Sequence, residues 1–495
     1  MSTLAGAALA FSLGVFAMTG AAHAAVTGPI AGTALLNLTP GVNFDRLDLS
    51  ASGYVTEEFF LSGTATSYKP AEPFTEDGNW MVEPSATAPF TTRMVVARPA
   101  DPSKFNGTVV VEWLNVSLGA DLAADWDAEH RELVRSGYAY VGVSAQQVGF
   151  EGGPNILPGS APLKKADPAR YGSLHHPGDA FAYDIFSQSG RAIRGEGGAK
   201  VLGPLLAKHL LVTGDSQSAV FLTTYVNAVD PIAKVYDGYL IHSRFGSAAS
   251  IDGASILGPA PAGVPAIARL RSDLRVPVIT VITETDLAGV GPLAGFLNAR
   301  QPDNHHLRIW EIAGTAHSDT YQLNVAHIDS GNASIEQLAA AYVAANPALG
   351  PQPIPINSAP QHHYVVMAAL AGLDRWVRDG KAPPHAPRLS AHADKPGAAP
   401  TFAVDSNGIA KGGIRTPWVD VPIARLSGQG GGNPQFGLTQ PFDQAKLDKL
   451  YPSGRGEYLK KFEVALATAI KSGFILPADA AEIKALASAM YPASQ

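Results

Sequence analysis

Apolar residues in this chain fall into short runs separated by stretches with helical spacing. Tyr54–Leu61 and Thr92–Arg98 are rich in β-branched and aromatic residues with no helical pattern between them, and read as an antiparallel opening pair. Thr108–Trp113 (TVVVEW) is almost continuously apolar, the pattern of a strand covered on both faces. Tyr138–Ser144, His209–Thr213, Tyr239–His242, Val278–Thr283 and Arg308–Ile312 follow as further strands, with helices expected over Asp127–Ser136 and around Asp179–Arg194. Eight strands, the last six alternating with helices or long connections, predict an α/β fold: a mostly parallel sheet with antiparallel opening strands and helices on both faces. Ligands of such sheets bind beyond the carboxyl ends of the strands. The residues just past each strand therefore carry the chemical interest.

Two segments exceed what the sheet needs, and both are expected to be large C-terminal insertions. Residues 318–359, with a helix near Ser334–Ala345, are expected to be lid-like. Residues 383–441, rich in Gly and Pro and including Gly430-Gly431-Gly432, are expected to run irregularly over the surface. A strong helical pattern at Tyr364–Arg378 lies between them, and the chain closes on an amphipathic helix with Tyr458, Leu459, Phe462, Leu466 and Ile470 on one face. No linker divides the chain, so residues 25–495 are expected to form a single domain. Before it, Met1–Ala24 carries no charge, Leu4–Met18 is an apolar run, and Ala22-His23-Ala24 has the small-x-small form of a cleavage site. Residues 1–24 are therefore expected to be a signal peptide, and the protein to be exported, either secreted or periplasmic. The run is shorter than the roughly 20 residues of a membrane span, and no later segment resembles one.

Charge narrows the partners. Of 495 residues, 36 are Lys or Arg and 43 Asp or Glu, a formal charge of −7 with no block of one sign. That argues against a nucleic-acid partner, which needs a concentrated basic surface, and against a polybasic membrane patch. The absence of cysteine removes disulfides, thiolate metal sites and a cysteine nucleophile together. The doublets His175-His176, His305-His306 and His362-His363 point neighbouring rings to opposite sides of an extended chain. No H-x-H or H-x-x-x-H spacing accompanies them, so no metal or cofactor is expected.

The strand His209–Thr213 runs into Gly214-Asp215-Ser216-Gln217-Ser218, followed by a helical stretch to about Val229. Strand, tight turn with a central serine, then helix is the context of a nucleophile elbow, in which the residues two before and two after the serine must be small. Gly214 and Ser218 satisfy that, although Ser218 stands where the usual pattern has glycine. A serine hydroxyl needs a histidine to take its proton and an acid to orient that histidine. His317 follows the strand Arg308–Ile312, and Glu284 and Asp286 follow Val278–Thr283. Serine, acid and histidine thus occur in a workable order, each after a strand. Asp286, carried past the strand end, is the expected acid, with Glu284 as the alternative. The loser is expected to hydrogen-bond within the same turn. An oxyanion hole needs two N–H donors: Gln217, after the nucleophile, and either Asn115 or Val116 from the loop after Thr108–Trp113. Arg244, past Tyr239–His242, either binds a substrate carboxylate or forms a structural salt bridge.

These residues resemble the α/β-hydrolase superfamily, and more narrowly a family of large exported α/β-hydrolase domain proteins with a G-x-S-x-S elbow. The resemblance spans nearly the whole chain after residue 24. It rests on Thr108–Ser117, Asp184–Gln188, Gly214–Ser218, Gly314–His317 and Gly412–Pro417. More distantly the chain is similar to secreted carbohydrate esterases and polyester hydrolases. The resemblance implies esterase-like hydrolysis of a small-molecule or polymeric ester without a cofactor. An amidase or peptidase using the same residues, and a non-catalytic binding protein on a hydrolase fold, are the competing expectations.

Overall fold

The computed structural model describes residues 24–32, 49–154, 161–257, 263–291, 293–346, 349, 352–395 and 398–492. The segment Met1–His23, which carries most of the expected signal peptide, lies outside the described residues. A nine-stranded sheet organises the molecule. Its strands are β1 Ala25–Thr27, β2 Tyr54–Pro70, β3 Val82–Pro99, β4 Thr108–Trp113, β5 Ala139–Val143, β6 His209–Asp215, β7 Gly238–His242, β8 Val278–Ile282 and β9 Leu307–Glu311. They lie in the order β1-β2-β3-β5-β4-β6-β7-β8-β9. The links from β1 to β3 and from β3 to β5 are antiparallel, and every other is parallel. All eight expected strands are present, and β1 adds a three-residue edge that no periodicity could reveal.

Alternation in the parallel strands divides the core in two. Val109, Val111 and Trp113 of β4 pack on one side with Ile185, Phe186 and Phe221. Val110 packs on the other with Trp126, Leu133, Val365 and Leu373. Covering the first face are α1 Ala182–Arg194 and α2 Gln217–Thr224. Covering the second are α3 Ala124–Arg135 and α4 Gln361–Asp379, with α5 Arg455–Lys471 and α6 Ala480–Met490 beyond. Each large apolar side chain buried this way contributes about 1.5–3 kcal/mol. Burial on both faces is what makes the central strands read as unbroken apolar runs.

The two insertions pack against the turn that follows β9. Asn357 donates through Nδ2 to Gly314 O (3.0 Å) and Ser427 O (3.1 Å), and the Ser318 N–H donates to Gln435 O (3.1 Å). Within 318–359 the expected helix is present as Ile335–Val343, started by a reciprocal Ser334–Gln337 capping box. Among the described residues no helix is long and apolar enough to cross a membrane.

Candidate active site

Ser216 sits between β6 and α2 with φ 57° and ψ −115°. A non-glycine residue in that region is strained, and such strain collects at functional sites. The turn closes only over small neighbours: a Cβ on Gly214 would stand 2.6 Å from Leu222 Cδ1 and 3.1 Å from Ser218 Cβ. Ser218 fits in place of the usual glycine because Gly214 leaves room for it, and its buried hydroxyl has no hydrogen-bond partner among the described residues. The Ser216 N–H donates to His242 O (3.0 Å), which ties the elbow to the end of β7.

His317 lies beyond β9, in a turn made possible by Gly314. There φ is +73°, and a Cβ would stand 2.6 Å from Val419 Cγ1. Its Nε2 is 2.8 Å from Ser216 Oγ, and its Nδ1 is 2.5 Å from Asp286 Oδ1. Asp286 is the third residue of a one-turn helix, Glu284–Ala288, and forms a capping box with Thr283. Its Oδ2 accepts the Thr283 N–H at 2.8 Å, which fixes the carboxylate plane and leaves Oδ1 for the imidazole. Burial acts to raise the Asp286 pKa. The neighbouring His317 charge and the hydrogen bonds from His317 and Thr283 outweigh it and hold the carboxyl below its ordinary value.

Glu284, two residues earlier, faces elsewhere. Its Oε1 accepts the Gly314 N–H (2.6 Å), while Oε2 accepts the Gly428 N–H (2.8 Å) and the Ser427 hydroxyl (3.1 Å). It braces the His317 turn against residues 427–428 without touching the imidazole. Burial pushes its carboxyl up to about 7 despite those donors. Sequence reasoning confined this second carboxylate to its own turn, whereas it spans three segments.

The three N–H groups expected near Ser216 Oγ are not equally available. The Gln217 N–H opens α2 and donates to no acceptor among the described residues, which leaves it free for an incoming anion at a helix N-terminus. Asn115 must be corrected: its N–H donates to Leu122 O (2.9 Å) within its own loop. Its side chain instead supports the elbow through Asp215 O (3.0 Å). The Val116 N–H points to Gln217 Oε1 at 3.2 Å, and that side chain is held by Gln146 Oε1 (2.7 Å). Gln146, which sequence reasoning missed, also accepts from Trp113 Nε1 (3.1 Å). Its position just past β5 was the available signal.

Arg244 also needs correction. The expected salt bridge is absent among the described residues. Its fully buried guanidinium donates to Phe245 O (3.1 Å) and Ala268 O, and lies 5.2 Å from the Phe296 ring centre. Burial without a carboxylate partner lowers its pKa to about 9. Of the histidine doublets, His305 and His306 line a cavity of about 580 Å³ with His209, Asp237 and Pro277, at the amino ends of the strands and away from Ser216. His176 bonds Ala145 O (2.8 Å), and His363 stacks on Tyr321 with ring centres 3.5 Å apart.

No protein of curated function matches the sequence. Among solved structures, the chain is similar to esterase Est22 bound to p-nitrophenol, at 15% identity over 63% of this chain and 86% of that one, with a TM-score of 0.32. It is similar to XC6422 from Xanthomonas campestris, described as a serine hydrolase without a lid, at 10% identity over 50% and 83%, with a TM-score of 0.26. A thermostable esterase from Pseudomonas putida ECU1011 matches at 13% identity over 49% and 68%, with a TM-score of 0.25. The model of the alpha/beta hydrolase domain family matches residues 26–485, nearly the full span of the sheet and its covering helices, and the chain belongs to that family.

Proposed function

We propose that the protein is an exported serine hydrolase that cleaves carboxylic esters through an acyl-enzyme. The observation that carries this reading is the unbroken line of hydrogen bonds from Ser216 Oγ through His317 to Asp286, on a serine held at positive φ. Ser216 Oγ attacks the ester carbonyl carbon as its proton passes to His317 Nε2, and the carbonyl π pair moves onto oxygen. The Gln217 N–H receives that oxyanion. The Val116 N–H becomes the second donor once the Gln217 amide releases it. The alcohol departs with the proton from His317. Water then loses a proton to His317, attacks the acyl carbon, and frees the acid and Ser216. Asp286 keeps the Nδ1–H tautomer and offsets the imidazolium charge. Glu284 takes no part in proton transfer.

A panel of acyl esters of graded chain length, run beside the matching amides, tests the reading. Turnover of esters with little or none of amides is expected. Efficient amide cleavage would instead favour the amidase alternative, and no turnover by the folded protein would favour a binding protein on this fold. Export rests on Leu4–Met18 and Ala22-His23-Ala24, directly ahead of β1. Protein recovered from outside the cytoplasm should begin at Ala25, and material retaining Met1 would contradict the proposal.

A further inference from the structure

Behind Ser216, on the side away from solvent, a second line of hydrogen bonds joins four side chains from four separate elements. Asp319 Oδ2 is 3.0 Å from His362 Nδ1, and His362 Nε2 is 2.9 Å from His242 Nε2. His242 Nδ1 is in turn 2.7 Å from Asp125 Oδ1. All four are buried. The proton count follows from these contacts. Each Nδ1 faces a carboxylate oxygen, which accepts, and the two Nε2 atoms face each other, so one of them must also carry hydrogen. Three hydrogens bridge the line, and one of the two rings is an imidazolium unless a carboxylate holds its proton instead.

One end of this line, Asp319, and its inner histidine, His242, attach to the two segments that must meet for the chemistry. Asp319 lies two residues beyond His317. His242 O receives the Ser216 N–H (3.0 Å), and Asp215, directly before Ser216, places Oδ1 3.4 Å from His242 Nδ1. We propose that Asp125, His242, His362 and Asp319 form a buried three-proton brace that positions Ser216 against His317. The role in turnover rests on the reading of Ser216 and His317 given above. Without the third proton, two nitrogen lone pairs would face each other at 2.9 Å and the line would open between the two segments.

The groups facing the brace come from every element packed on it. Asp215 lies at the end of β6, with Asp286 beyond it. Glu129 reaches Asp125 through the Thr213 hydroxyl, and Glu112 and Asp127 lie alongside. His363 lies beside His362 with Arg131, His130 and Arg135 near it, and Tyr342 faces Asp319. Burial and mutual repulsion raise the carboxyl pKa values of Glu112, Asp127, Glu129 and Asp215. Asp125, Asp215 and His242 lie close enough together to consider a metal ion. However, ligands about 2.0–2.2 Å from a common zinc ion stand about 3 Å or more apart, whereas His242 Nδ1 and Asp125 Oδ1 are 2.7 Å apart. That is the spacing of a shared hydrogen.

The count can be read without activity, from nitrogen–proton NMR of histidine-labelled protein at neutral pH, with His362→Gln assigning the pair. Three hydrogens on the pair's four ring nitrogens are expected. Two neutral rings with unchanged carboxylates, or a stoichiometric metal ion by elemental analysis, would overturn the brace. The positioning role is read from the pH dependence of kcat. Wild type should lose kcat on the alkaline side with little change in KM. Asp319→Asn offers His362 Nδ1 an N–H donor in place of a carboxylate, which closes the line with both rings neutral, so the alkaline fall should disappear. His362→Gln should lower kcat by about 10–100-fold, the scale of an ångström of misplacement. An alkaline fall unchanged in Asp319→Asn would overturn the positioning role. If Ser216→Ala stays active while the NMR count stands, the reading of Ser216 fails and the brace does not.

Discussion

The molecule carries two aspartate–histidine lines that reach one elbow, and they differ in where they end. The front line, Asp286–His317, ends on the hydroxyl of a half-buried serine. The rear line, Asp125–His242–His362–Asp319, has a carboxylate at each end and is sealed from solvent. A line that ends on a hydroxyl can pass a proton to a ligand and take it back. A line closed at both ends by carboxylates has no ligand to which it can pass a proton. On the proposed reading the same residue types serve chemistry in one line and geometry in the other, and the terminal group decides which.

Changes in the front line should be the more damaging. Asp286→Asn should lower kcat/KM by about 10⁴ with the fold intact, through loss of the working tautomer. Steady-state kinetics on one activated ester, with circular dichroism as the control for folding, measures this. The matching change at the rear, Asp125→Asn, should cost no more than about 100-fold, as a displacement rather than a chemical loss. Equal losses in the two variants would erase the distinction.

Glu284 sharpens the contrast within one turn. Glu284→Gln should cost about tenfold or less in kcat/KM, through altered hydrogen bonds at Gly314 and Gly428. Its signature should appear in stability. The folded-state carboxyl titrates at about 7 against an ordinary value of 4.5, so the native state favours the protonated form. The stability it contributes is fully present below 4.5 and is lost as pH rises through about 7. The Tm of wild type relative to Glu284→Gln should therefore fall across that window, and a gap that stays constant would contradict the assignment. The smallest effect belongs to Ser218→Ala. Removing a buried hydroxyl with no partner among the described residues should leave kcat/KM nearly unchanged and should not lower stability by more than about 1 kcal/mol in urea unfolding.

What could be read in advance followed from burial. β4 and β8 are covered on both faces, and their apolar runs announced them. The opening pair runs on beyond the expected ends because Ser62–Pro70 and Val82–Thr91 are mostly polar or small and mostly exposed or half-buried, with only scattered core-facing residues such as Ala65 and Phe90. Ser216, His317 and Asp286 could be singled out as candidates because each lies just past a strand, where the α/β arrangement concentrates ligands. The rear line was not visible. Asp125, His242, Asp319 and His362 share no spacing, and only the fold brings α3, β7, the β9 turn and α4 together. Asn115 misled for a similar reason: its N–H is consumed by Leu122 within one loop, a contact that no pattern of residue types encodes.

The central claim is that Ser216 is the nucleophile, and labelling with a fluorophosphonate probe tests it most directly. Wild type should take up one probe, mapped by peptide mass spectrometry to Ser216. Ser216→Ala should take up none and lose about 10⁴–10⁶ in ester turnover. Labelling that persists in Ser216→Ala, or a probe mapped to another serine, would contradict the account.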